Sequence, residues 1–581
     1  MVEFKIDSSI RLNKINEILN KISQGKVMAL FLVAMFIMWL LTIITMKITE
    51  FPPDSFYYLK MLPIYYWIGL FIGLLQLYLL LFHHVKKNKT LFDSIIIVLF
   101  VLYLFGTGIF IYSNPQFLDT YGVIERINLT INAGHIIAYG GYDADYPLQI
   151  AFFSQSSIIM SSVIKFAKIF PLINALLISF FIYLIARRIN SKYCLIAPII
   201  YLSISWIDFQ HISPQSYGLM LTSIFLFFLM GKFLGRYGAI DAFLLIIMIV
   251  LIQLAHPISP IVNILPLLAI WIVALLFSFS KRDFIKNNMP RRIVALLTSS
   301  FKQDFIKKDK ISNILLFQVV FSLAYLIYIA KDTFSLIYEH ICGYIIDFLY
   351  KGTISINDYT ITHPMFSYIL TSQLRKISLI LIIVMGIICS IYIIKNSKKD
   401  NIGLILVAMF FGYISLFGFL LIAGDVTFIE RGFVFSLLIL PILIVKSISV
   451  GTKTKLHKPF CALVILFFIF SVFTFPVTYQ GSGPYVVPSG SEISAQNFII
   501  NNPDIIDSIY YSYGGSPLVF NKFWYNYLSL KHNMGNEYIE SFNLVGLNKL
   551  YDSGQSMVFF TSNNETSYNL LNGVWKYTSY R

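Results

Sequence analysis

Thirteen apolar runs of about the length needed to cross a membrane divide this chain, at residues 27–46, 62–82, 94–112, 170–186, 193–207, 216–234, 240–255, 258–279, 312–330, 376–395, 402–422, 431–446 and 459–476. Lipid offers the backbone no hydrogen-bonding partner, so runs of this kind must close their bonds internally as helices. With 57% hydrophobic and only 13% charged residues among 581, the chain reads as an all-α polytopic membrane protein of about 13 transmembrane helices.

The charges then fix an orientation. With the amino terminus in the cytoplasm, 29 of the 44 Lys and Arg fall in cytoplasmic segments, while about 20 of the 29 Asp and Glu fall outside. The net charge of +15 is mostly loop charge facing anionic lipid heads, and it implies no nucleic-acid partner. The cluster KRDFIKNNMPRR (281–292) fits a lipid-facing loop or a partner-binding one. Groups able to do acid, base or metal chemistry collect on the outer side, and function is expected there.

The stretch Tyr146–Ala167 is also apolar, but counting it as a span would carry Arg187, Arg188 and the nine basic residues between Lys281 and Lys310 across the membrane. Two readings keep the charge order. One is an amphipathic helix at the outer interface, opened by Pro147 and interrupted by Gln149, Ser154, Gln155 and Ser156; the other is a re-entrant helix.

Three parts follow. Residues 1–93 form a cytoplasmic tail and first transmembrane hairpin, whose leading run is expected to stay as an uncleaved anchor. Residues 94–476 form a transmembrane core with outer segments 113–169 and 331–375, the second carrying another surface helix. Residues 477–581 are expected to make a small extracytoplasmic α/β domain, with a helix in SEISAQNFIINN and a strand in SMVFFTS. Cys194, Cys342, Cys389 and Cys461 lie mostly inside the apolar runs, so neither a disulfide framework nor a CxxC metal site is expected.

Candidate chemistry begins where the third run ends. Tyr112-Ser113-Asn114-Pro115 is followed by Asp119, a helix-like YGVIERINLTI, Gly134-His135, the DxD pair Asp143 and Asp145, and Tyr146-Pro147. Asp119 is either a hydrated cap or a positioned carboxylate. The DxD pair reads equally as a turn or as ligands for a hard divalent cation such as Mg or Mn. Late in the chain GDVTFIERGF sets Asp425, Glu430 and Arg431 at the outer surface, where an ionic cluster is costly. Arg431 either grips a phosphate bidentately or pairs with an adjacent acid. Two outer turns combine His with Pro: His211 with Pro214 and Gln215, and His256 with Pro257. There each His caps a helix or donates to a ligand.

From Asp119 to Pro147 the chain resembles the GT-C superfamily of membrane glycosyltransferases, which includes protein mannosyltransferases and aminoarabinose transferases. Asp119 matches the acidic residue of their first outer loop, and Tyr146-Pro147 resembles the start of their juxtamembrane helix. In layout the likeness spans roughly 94–476. It implies transfer of a sugar from a polyprenyl-phosphate carrier to a lipid, glycan or protein acceptor, with Asp119 as catalytic base or metal ligand and Arg431 on the departing phosphate. Glu430, His211, Gln215, His256 and His135 would then belong to the substrate-binding set. The Trp-Trp-Asp motif of oligosaccharyltransferases is missing, and the first hairpin departs from the simplest family layout.

No serine-hydrolase elbow, Walker loop, HExxH or dinucleotide fingerprint points to another enzyme class. The sequons Asn128-Leu129-Thr130 and Asn564-Glu565-Thr566 face outward on this topology. A transporter or lipid flippase is the rival reading, and it would place polar groups and broken helices at mid-membrane; a non-catalytic assembly protein is a third. The richness in Ile, Lys and Asn suits a prokaryotic plasma membrane, bacterial or archaeal.

Overall fold

The computed structural model describes residues 25–46, 57–82, 89–112, 114–116, 119–136, 145–208, 211–280, 308–331, 334–335, 338, 366–396, 401–423, 433–451, 456–480, 509–511 and 557–559, without the side chains at several helix ends, Asp119 among them. This is a multi-pass membrane protein, and among the described residues eight helices are long and apolar enough to cross. That corrects the expectation of about thirteen. The apolar helices Ile64–Leu79, Ala239–Ala255, Asn401–Ser415 and Ser436–Gly451 are shorter, and the run at 193–207 gives a nine-residue helix ending in a 3-10 turn at Ser205–Asp208. The physical reason is that an apolar run records burial, against protein or against lipid alike.

Helix α1 (Gly25–Thr45), the short α2 (Tyr57–Met61) and α3 (Ile64–Phe82) make the first hairpin. The third apolar run folds as a crossing built from α4 (Lys89–Val101), a π-helical segment at Leu102–Gly106 and α5 (Thr107–Ile111). A π segment leaves carbonyls misaligned with the α ladder, and two of its residues bond across to α1. The Trp39 indole N–H donates to the Leu102 carbonyl at 3.0 Å, and the Tyr103 hydroxyl donates to the Met35 carbonyl at 2.8 Å. Gly69 on α3 makes room, since a Cβ there would fall on the Tyr103 hydroxyl. The hairpin therefore braces the irregular part of this crossing.

Two helices that do not cross follow, α6 (Asp119–Ala133) and α7 (Pro147–Ile159), and then the 27-residue α8 (Val163–Ile189). At about 1.5 Å per residue, the 13 residues of α7 reach only about two thirds of a hydrocarbon core. The apolar stretch at 146–167 is thus split, its last residues belonging to α8. Residues Gln149, Ser154 and Ser157 of α7 are buried, whereas Phe152, Ile158 and Ile159 are exposed. Polar groups on α7 turn inward as well as outward, unlike a simple interfacial helix.

Next come α9 (Ile196–Ile204), α10 (Pro214–Phe233), α11 (Ala239–Ala255), α12 (Ile258–Ser280), α13 (Lys308–Tyr328), α14 (Phe366–Asn396), α15 (Asn401–Ala423), α16 (Ser436–Gly451) and α17 (His457–Gln480). Helix α14 begins inside the expected outer segment 331–375. Helix α16 is the hub: nearly every residue is buried, and it packs on α8, α9, α14, α15 and α17. Helices α12 and α15 approach most closely at Gly412, where a Cβ would lie 2.6 Å from the Pro266 Cα and 2.9 Å from the Leu265 oxygen.

The expected α/β domain at 477–581 is also corrected. Helix α17 continues through Gln480, and beyond it the only described elements are two three-residue strands, with no helix among the described residues. The strands β1 (Ile509–Tyr511) and β2 (Met557–Phe559) pair in parallel, Ile509 opposite Met557. The helix expected in SEISAQNFIINN lies outside the described residues.

Candidate functional site

The two ends of the bundle differ in chemistry. At one, Arg187 donates to the Thr90 hydroxyl at 2.8 Å, and the Arg188 guanidinium lies 3.7 Å from the Phe227 ring centroid. Tyr183 donates to Asp93 at 2.8 Å, and Asn190 to the Ser449 hydroxyl at 2.7 Å. Tyr237 sits there under Lys232; burial first, and Asp241 second, push its hydroxyl above the usual phenol range. These residues pin helix ends together through cations and aromatic faces.

The opposite end gathers most of the described candidate residues. Asp119 is the first residue of α6, a position that suits a carboxylate because a helix N-terminus favours negative charge. One turn back, the Thr120 hydroxyl donates to the buried Gln116 carbonyl at 2.7 Å. Helix α6 buries Val123, Ile124 and Ile127, packs on α7 and α8, and stops at Gly134 with φ 71°, the left-handed C-terminal turn that glycine favours. His135 follows, exposed, with Nδ1 3.0 Å from the Ala133 oxygen, so it stands apart from the interior.

Helix α7 connects the rest. Just before it, Asp145 and Tyr146 are buried, and the Tyr325 hydroxyl of α13 donates to the Asp145 carbonyl. Further along, Phe152 stacks on Tyr217 of α10 at 4.8 Å and Phe153 meets the same ring edge-on at 5.6 Å. Tyr217 lies two residues beyond the half-buried Gln215, in the first turn of α10. That turn is fixed by a capping box, in which Ser213 Oγ accepts from the Ser216 N–H and Ser216 Oγ accepts from the Ser213 N–H at 3.2 Å, and Ser216 Oγ also donates to the His211 carbonyl at 2.5 Å. The next residue, Gly218, faces the α11–α12 turn, where a Cβ would meet Ser259 Oγ and lie 3.2 Å from the His256 Cβ.

His256 has a defined structural task. Its Nδ1 accepts from the Ser259 N–H at 3.2 Å and lies 2.9 Å from Ser259 Oγ, so the ring caps the start of α12. With Nδ1 accepting from the backbone, the neutral ring carries its proton on Nε2. One turn deeper, Asn263 donates to the Thr222 hydroxyl at 3.0 Å and accepts from the Tyr413 hydroxyl at 2.9 Å. Asn263 therefore joins α10, α12 and α15 through a second set of polar bonds below the His256–Ser259 pair.

Asp145 and the first turn of α10 thus meet at α7, with Asp119 joined to them through α6 and the His256 turn reached through Gly218 of α10. Asp143, Asp425, Glu430, Arg431, His340, Asp347, Asp358 and His363 lie outside the described residues. Among the described residues, which exclude Asp143, no group of three or more His, Cys, Asp or Glu is placed to hold a metal ion.

Sequence reasoning passed over several residues here. Arg375 donates Nε at 3.0 Å and Nη2 at 2.8 Å to the Thr478 carbonyl near the end of α17, with its guanidinium 5.9 Å from the Trp206 ring centroid. It marks only the edge of an apolar run in the sequence. Tyr58 on α2 stacks on Tyr112 at 6.3 Å. Burial, with Tyr66, Tyr112 and Tyr479 adding to it, holds its hydroxyl well above the phenol range and keeps it neutral. Gln318, Ser322 and Tyr325 recur at i, i+4 and i+7 on α13, a helical-period polar stripe that was legible in principle.

Compared with protein-family models and with curated proteins, the sequence matches none. Among the described residues, fold and site define a multi-pass helical bundle with the short helices α6 and α7 at one end.

Proposed function

We propose that the chain is a GT-C-like membrane glycosyltransferase that moves a sugar from a polyprenyl-phosphate carrier to a lipid, glycan or protein acceptor. The observation that carries this reading is the packing around α7: the helix opened by Asp119 packs on it, the Asp145-Tyr146 step starts it, and Tyr217, two residues beyond Gln215, stacks on its Phe152. In this proposal that end faces outward, and the end with Arg187 and Arg188 faces the cytoplasm, in keeping with the distribution of basic loops.

An acceptor hydroxyl or amine attacks the anomeric carbon while the bond to the carrier phosphate breaks. The acceptor proton passes to the Asp119 carboxylate, and the bonding electron pair leaves on the phosphate oxygen, which Arg431, steadied by Glu430, receives. A positioned base contributes roughly 10² to 10⁴ in rate. Gln215 and the His211 turn orient the sugar, His256 holds the α12 start in place, and the exposed His135 is left out of the site.

The test uses purified full-length protein in lipid with a radiolabelled polyprenyl-phosphate sugar, following release with and without divalent metal. Release that disappears in Asp119→Asn at normal expression supports the reading, and unchanged release removes the proposed base.

One observation favours the transporter reading. The π segment at Leu102–Gly106, the prolines within α8, α12, α16 and α17, and the Thr222–Asn263–Tyr413 relay place irregular backbone and polar groups inside the bundle. Movement of a labelled lipid between leaflets, unaffected by Asp119→Asn, would favour it.

A further inference from the structure

Beneath the start of α7, buried amides and hydroxyls collect on helices whose nearby stretches carry no cation. Gln253 on α11 is 1% exposed, and neither its Nε2 nor its Oε1 has a hydrogen-bond partner among the described residues. On α13, Gln318 donates Nε2 to the Pro260 carbonyl at 3.0 Å, but its Oε1, and the Ser322 hydroxyl one turn on, have no partner among the described residues. The same α13 face continues to Tyr325, which bonds to the Asp145 carbonyl. Leu254, next to Gln253, packs against the cluster of Tyr146, Tyr325, Leu326 and Ala330. Gln253 is the neighbour of Leu254 and Ser322 lies one turn before Tyr325, so both belong to the junction where α11, α12 and α13 pack on one another and α7 adjoins α11.

An amide buried in apolar surroundings without a partner is costly, and leucine would serve such a position better. The chemistry present selects what would satisfy it. Residues 242–255, 258–275 and 311–328 carry no charged side chain at all. A phosphate would find no cation on these stretches, whereas each amide offers both donors and an acceptor, and each hydroxyl does the same. That pattern matches the ring hydroxyls of an uncharged sugar.

We propose that Gln253, Gln318 and Ser322 form a hydrogen-bonding site, at the junction of α11, α12 and α13, for the neutral hydroxyl groups of a lipid-linked sugar. The inference rests on the transferase reading and deepens it: it assigns the sugar of the donor lipid to this junction and separates it from the phosphate.

Binding is measured on full-length protein in nanodiscs with three probes: a glucosyl polyprenyl phosphate, the same polyprenyl phosphate without sugar, and a neutral glucosyl diacylglycerol. Wild type is expected to prefer the sugared carrier. Gln253→Leu is expected to weaken that binding by about tenfold, the scale of a lost buried hydrogen bond, and to leave the unsugared carrier within about twofold, with thermal stability equal or higher. Should Gln253→Leu fail to fold, Ser322→Ala and Gln318→Leu are expected to show the same selective loss. Equal binding of sugared and unsugared carrier by wild type, or wild-type sugar preference in all three variants, overturns the proposal. Gln253-dependent binding of the glucosyl diacylglycerol without Asp119-dependent release would keep this site and remove the transferase reading. Asp119-dependent release with sugar preference unchanged in all three variants would do the reverse.

Discussion

The hydroxyl of Tyr325 donates to the main-chain carbonyl of Asp145, 180 residues earlier in the chain, and so ties the end of α13 to the residue pair from which α7 starts. Neither partner is a conventional active-site group, yet the bond fixes where α7 begins, and α7 is the element on which α6 and the first turn of α10 pack. Tyr325→Phe keeps the ring, which lies 6.2 Å from that of Tyr146, and removes only the donor. Its expected cost is about 1 kcal/mol, since hydrogen bonds within membrane proteins average somewhat below that. Thermal unfolding in micelles checks the cost. Sugar release is expected to fall further than stability, because α7 loses its anchor.

His256 separates a capping role from a binding role. Its Nδ1 accepts from the Ser259 N–H, a bond that an asparagine oxygen can replace and a leucine cannot. His256→Leu is expected to destabilise by about 0.5–2 kcal/mol, as for a lost helix cap, and His256→Asn by a fraction of that. If both variants keep full sugar release after correction for folded fraction, the ring serves as a cap alone. If His256→Asn folds normally and loses release, its Nε2 side acts on substrate.

Gly412 and Gly218 rank how much closeness the bundle demands. At Gly412 the obstacle to a side chain is backbone, the Pro266 Cα at 2.6 Å, whereas at Gly218 it is chiefly the Ser259 hydroxyl. Backbone cannot rotate away, so Gly412→Val is expected to split α12 from α15 and abolish a monodisperse peak on size exclusion. Gly218→Ala is expected to fold, at a cost of about 1–3 kcal/mol for overpacking, with Ser259 displaced from His256.

Much of the helical layout was legible because apolar runs have one physical meaning, exclusion from water. Every expected run coincides with a helix that the structure describes in whole or in part. Which runs are long enough to cross was not legible, because α16 is buried nearly all round through contact with five other helices, and a mostly apolar run does not distinguish that neighbourhood from lipid. The candidate turns at His211 and His256 were visible through proline and histidine beside apolar runs. Arg375 and Tyr325 were not, since their roles depend on partners 103 residues away for Arg375 and 180 for Tyr325; Gln253 shows as a polar residue inside an apolar run, but its neighbourhood is assembled from several helices.

Trp39 links the first hairpin to that layout, and it offers a test of whether the hairpin matters to the site. Its indole N–H reaches the Leu102 carbonyl in the π segment, and its ring meets Phe110 edge-on at 5.4 Å, a few residues before the chain leaves this crossing toward Asp119. Trp39→Phe removes the donor and part of the ring. The π segment then loses one of its two bonds to α1, the other being Tyr103 to Met35. Stability is expected to drop by about 1–2 kcal/mol, from one hydrogen bond and reduced packing. If the hairpin positions Asp119 through this segment, sugar release falls in Trp39→Phe by more than the folded fraction does, and hydrogen exchange quickens across Leu102–Ile111. Faster exchange with unchanged release would instead make the hairpin a brace for the bundle that leaves the chemistry untouched.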